Sequence, residues 1–155
     1  MMTSSQARNM AEMKWGRGGT RSRRTNRKGA FYFSCSGHGG FVIDGRCLTQ
    51  DERTNIIRYI EPEIAHAVVR NDGKVKRLRG PDSQQTLRYS MAREHIEEIE
   101  VFFAEEDCAW AIPAVIAGIL DGDTTRQQAV ACFLRHQKPS NHECISLGLN
   151  QVSPC

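Results

Sequence analysis

Two short runs rich in aromatic and β-branched residues, 30–35 (AFYFSC) and 41–44 (FVID), are separated only by Ser36-Gly37-His38-Gly39-Gly40. Runs of this make-up pleat as strands, and a short glycine-rich connection returns the chain antiparallel. Phe31, Phe33 and Cys35 alternate with Tyr32 and Ser34, so the pattern predicts one buried phenylalanine face. The chain is therefore expected to contain an antiparallel hairpin, and the helical segments downstream make the fold class α+β.

Residues 109–120 (AWAIPAVIAGIL) are apolar all round, as expected of a helix enclosed on every side. Asp107 is its expected N-cap, and Pro113 predicts a kink or a late helix start. The run is far shorter than the roughly 20 residues needed to span a bilayer, so no membrane helix is expected. The N-terminus pairs Met1 and Met2 with polar residues and then arginines, without the apolar core of a secretory signal. The expected location is the cytosol. Cys35, Cys47, Cys108, Cys132, Cys144 and Cys155 are accordingly read as free thiols rather than a disulfide set.

The 155 residues carry a net charge of +3, but the charge comes in blocks. Residues 1–30 hold eight Lys and Arg against one acid, Glu12. Between residues 91 and 107, seven acids face only Arg93. Residues 1–29, rich in Ser, Thr, Gly and Arg and lacking an apolar period, are expected to be a disordered basic arm with Trp15 as its docking point. Residues 30–138 form the expected α+β domain and 139–155 a loose tail.

Within the domain, Thr49 and Glu52 have the spacing at which a hydroxyl and a carboxylate satisfy free amides at a helix start, predicting a helix over 50–59. Asn71-Asp72-Gly73 between valine-rich flanks predicts a hairpin over 67–78, with a short helix over 63–70 as the competing arrangement. Residues 83–98 are polar enough for a surface helix or loop, and 100–104 (EVFFA) for a short strand. A last helix is expected from about 124 to 137, with Ala129, Cys132, Phe133 and His136 on its apolar stripe, stopped by Pro139. The expected architecture is a small antiparallel sheet with the glycine-loop hairpin at its centre, packed on the buried helix and the last helix. Trp110, Phe31, Phe33 and Phe41 are expected to share one core.

Three fragments, Trp15-Gly16, Ser34-x-x-Gly37-His38-Gly39-Gly40-Phe41 and Glu105-Glu106-Asp107-Cys108-Ala109-Trp110-Ala111, together resemble a group of small uncharacterised proteins of phages, plasmids and other mobile elements. The resemblance implies no activity. It implies a setting, that of small proteins which bind and inhibit host machinery, including CRISPR-Cas and other defence systems. The function expected is a non-enzymatic inhibitor, anti-CRISPR-like in kind, whose partner is a host protein or ribonucleoprotein complex.

Four constellations bear on mechanism. The Gly37-His38-Gly39-Gly40 loop exposes an imidazole, and Cys108 as nucleophile with His38 as base is the enzymatic alternative; both the phosphate-loop and the G-x-S-x-G patterns are absent. A zinc alternative uses Cys132, His136, His142 and Cys144, although no C-x-x-C pair occurs and no cofactor is expected. No small-molecule substrate is indicated. The arm offers Arg21, Arg23, Arg24 and Arg27 to nucleic acid, within the basic stretch 8–28, but Trp15 is its one aromatic, so interleaved stacking residues are missing. Glu94, Glu97, Glu98 and Glu100 offer a negative surface that imitates a nucleic-acid backbone, and are the expected protein-binding residues.

Overall fold

The computed structural model describes residues 1–16, 20–69, 75–79 and 95–149. Strands β1 (Arg21–Arg23), β2 (Ala30–Ser34), β3 (Gly39–Asp44), β4 (Glu63–Val69), β5 (Val75–Arg79) and β6 (His95–Glu105) form one antiparallel sheet in the order β1-β2-β3-β6-β4-β5. Helix α1 (Ser4–Trp15) lies against one face. Helices α2 (Gln50–Ile57), α3 (Ala111–Ala117), α4 (Arg126–Gln137) and α5 (Asn141–Ser146) gather on the other side. The fold is α+β, with a small antiparallel sheet between two helical layers.

Strand alternation divides the apolar residues between two cores. Phe41, Ile43, Phe102 and Ala104 face α3 and α4, where Ile112, Val115, Ala129 and Phe133 close over them. Phe33, Val42, Ala65, Ala67, Ile99, Val101 and Phe103 point the other way, toward Met2, Ala7, Met10 and Ala11 of the α1 segment. The hairpin register sets Tyr32 opposite Phe41 and Phe31 opposite Val42, which puts Phe31 and Phe33 on the face opposite Phe41 and the half-buried Trp110. The expected single core is thus corrected to two. All six residues of β3 are buried, which explains its unbroken apolar run.

The expected disorder of residues 1–29 is also corrected. Thr3 caps α1 by accepting from the Gln6 N–H while the Gln6 side chain accepts from the Thr3 N–H. Arg21–Arg23 then add an exposed edge strand. The strand expected over 100–104 is present but longer, running from His95 to Glu105, so residues 95–98, expected as surface helix or loop, are strand instead; residues 83–94 lie outside those described. Helix α3 starts at Ala111 without Asp107 as its cap, so Pro113 sits in the first turn, where a missing N–H costs nothing. Within the expected loose tail, Asn141–Ser146 form α5, capped by Ser140 and Glu143, with Leu149 buried beneath it; residues 150–155 lie outside those described.

Other expectations hold in the structure. The Thr49–Glu52 capping box opens α2, the 63–79 segment is a β4–β5 hairpin, and α4 ends at Gln137 before Pro139. The 71–73 turn lies outside the described residues. The glycine-loop hairpin is one place off centre, because β3 and β6 hold the middle of the sheet.

Candidate functional site

The three sequence fragments around Trp15, Gly37–Phe41 and Glu105–Ala111 meet at one end of the sheet. Gly40 pairs with Glu105 and Phe41 with Ala104, while the Glu106 N–H donates to the Gly39 carbonyl at 2.9 Å. Gly40 has φ 146°, and a Cβ there would lie 2.0 Å from the Ala104 carbonyl oxygen. Its conformation and the close strand contact both require glycine. Trp15 meets Phe103 edge to face at 5.9 Å, and its carbonyl accepts a long contact from the Cys35 thiol at 3.9 Å. These fragments therefore account for strand packing at this end.

His38 and Cys108 both lie close to this end of the sheet in sequence, but no hydrogen bond links them among the described residues. His38 is exposed, and its carbonyl accepts from the Cys35 N–H at 2.7 Å, closing the hairpin loop. Cys108 is half-buried in the turn after β6. Burial pushes the Cys132 thiol up, and burial likewise raises the Cys47 thiol to about 11, the opposite of what a nucleophile needs. Cys132 and His136 lie on α4, His142 and Cys144 on α5. Among the described residues, no three His, Cys, Asp or Glu side chains stand close enough to hold a metal ion.

The acidic block is largely committed to the fold. Glu100 is gripped by Arg53 of α2, with the Arg53 Nε at 2.6 Å, and this contact lowers its carboxyl below the usual range. Glu97 meets Arg46 at 3.4 Å. Glu98 is exposed, and Glu94 lies outside the described residues. Of the four expected protein-binding acids, two are already partnered by arginine.

The basic residues divide into two groups. Arg27 reaches inward: it makes a two-point contact with Glu52 at 2.9 and 3.0 Å and also donates to the carbonyls of Cys47 and Ala117. It joins the β1–β2 connection to α2 and α3. Arg23 spans from β1 to Asp121 at 2.8 Å and Asp123 at 3.2 Å, with its guanidinium 5.2 Å over the Tyr32 ring. Arg8 donates to the Thr20 carbonyl at 2.8 Å and lies 5.9 Å from the Phe33 ring centre. By contrast, Arg21, Arg24 and Lys28 are exposed and have no carboxylate partner among the described residues.

Two of those cations, Arg24 and Lys28, border a groove of about 1080 Å³. One wall is the start of the chain, Met1 to Ser4, and the other is the segment from Ser22 to Phe31, which includes Arg24 and Lys28. Phe31 was not read as a site residue from the sequence, and Lys28 only as part of the basic stretch 8–28. The alternation that placed Phe31 on a buried face concealed that this residue, half-buried at the sheet margin, borders the basic segment.

Comparison with known proteins returns no similarity on which to place the chain: no protein family, no curated protein and no solved structure matches it.

Proposed function

We propose that this chain is a non-enzymatic interaction protein of a phage or other mobile element. It docks on the nucleic-acid part of a host macromolecular complex, of the defence-system kind, and inhibits it. The observation carrying this reading is a set of uncompensated cations: Arg24 and Lys28 border one groove and Arg21 is exposed on the adjoining edge strand, while neighbouring Arg23 and Arg27 are spent on Asp121 and Glu52. Unpaired surface cations recruit phosphates and release their counterions. The acidic alternative is weaker, since Glu97 and Glu100 face Arg46 and Arg53. The resemblance of the three fragments supports the biological setting.

Purified protein and a labelled nucleic acid test this reading by fluorescence anisotropy at 50 and 200 mM salt. Contacts to three phosphates would weaken binding about twenty- to fortyfold over that interval. His38→Ala and Cys108→Ala should leave the affinity unchanged. Absence of binding, or binding indifferent to salt, would remove the proposal. Dependence on both His38 and Cys108 for a host-directed effect would favour the enzymatic alternative.

A further inference from the structure

The sequence places one aromatic among the basic residues of the arm, which argues against recognition of unpaired bases. The fold changes that premise by bringing Phe31, from the second strand, to the wall of the groove that Arg24 and Lys28 border. Phe31 is half-buried, and its ring lies near parallel to that of the fully buried Phe33, 25° between planes and 6.4 Å between centres. The ring is thus held from within by a residue that cannot move away. Met1, 49% exposed, supplies a polarizable side chain at the same groove.

The components are those of a single-strand site: cations for a backbone and an aromatic for a base. Ser22 borders the same groove and adds a hydroxyl without negative charge, whereas the Asn26 side chain is spent on the backbone of Gly118 and Leu120. At about 1080 Å³ the groove is on the scale of a small-ligand site and accommodates roughly one or two nucleotides, not a duplex. A duplex meets the rim cations Arg24 and Lys28 but gives Phe31 no free base face.

Resting on the nucleic-acid reading proposed above, we infer that this groove takes an unpaired nucleotide segment, with phosphates on Arg24 and Lys28 and a base against Phe31. Selectivity for single strands then resides in Phe31, and general affinity in the cations. RNA and DNA share the required phosphate and base chemistry.

The test compares labelled 12-nucleotide single-stranded RNA, single-stranded DNA and a 12-base-pair DNA duplex, by anisotropy at one salt concentration. At least one single strand should bind about tenfold or more tightly than the duplex. Phe31→Leu should remove about tenfold from the single-strand affinity alone, and Phe31→Trp should restore it. If Phe31→Leu does not fold, quenching of a 2-aminopurine base in the strand bound to the unaltered protein reports stacking directly. Equal affinity for single strand and duplex, or an unquenched probe, would overturn the inference while leaving nucleic-acid binding intact. Binding to none of the three would overturn the proposed function as well.

Discussion

Arg24 and Arg27 are three residues apart and chemically identical, yet the structure gives them different work. Arg27 makes four hydrogen bonds to Glu52 and two backbone carbonyls, whereas Arg24 is exposed and lacks a carboxylate partner among the described residues. Arg27→Ser should lower stability by about 2–3 kcal/mol, because it deprives a charged partner and two carbonyls of their donors. Arg24→Ser should stay within about 0.5 kcal/mol. Urea unfolding of both variants checks the contrast, and equal losses would contradict the division. This division was not legible in the sequence, since Glu52 lies 25 residues from Arg27 and the Asp121 that holds Arg23 lies 98 away. Asp44 provides a second check. Burial alone would raise its carboxyl, but hydrogen bonds from Arg46, the Met2 N–H at 2.6 Å and the Arg46 N–H at 3.0 Å outweigh it and hold the group below the usual range. A folded value below the unfolded one of about 3.9 stabilises above roughly pH 4, and the contribution fades as pH falls through the folded value. Stability should therefore decline below about pH 4, and Asp44→Asn should make that acid limb shallower in urea unfolding followed against pH. An unchanged limb would mean that Asp44 does not couple protonation to folding.

At the scale of elements, legibility followed local chemistry. The Thr49–Glu52 box and the Asp-Gly turn between valines carry their instructions within a few residues, and α2 and the β4–β5 hairpin formed where expected. Strand β6 was legible only over 100–104, and its first half was obscured because Glu97 and Glu98 look like a solvated face. The strand tolerates its acids because Arg46 and Arg53 arrive from distant segments and because Ile99 and Val101 still point into the α1 core. Helix α1 was missed for a different reason: the residues it buries are mainly Ala7, Met10 and Ala11, too sparse a stripe among arginines and serines to show a helical period. Its order comes from docking, with the Met2 N–H held by Asp44 and Lys14 paired to Glu63. Met10, 2% exposed, should therefore matter to the whole fold, and Met10→Ala should cost about 2–3 kcal/mol. A melting temperature unchanged by that substitution would place α1 off the sheet.

For the whole molecule, the +7 of the first 30 residues is better understood as two populations than as one tail. Arg23 and Arg27 stitch the edge of the sheet to the helical layer, and Lys14 fastens α1 to β4. Arg21, Arg24 and Lys28 remain for a partner, the last two alongside a groove whose aromatic comes from another strand. The hairpin and the α+β class were readable because alternation and glycine spacing are local. The candidate site was not, because its composition depends on which cations the fold consumes. The most direct measurement is the salt dependence of single-strand binding for the unaltered protein and for the triple variant Arg21→Ser, Arg24→Ser, Lys28→Ser. The expected result is a slope of log affinity against log salt reduced by about 2, three phosphate contacts at roughly 0.7 each, with Tm unchanged. An unchanged slope, or a variant that melts well below the unaltered protein, would contradict the assignment of these three cations to binding.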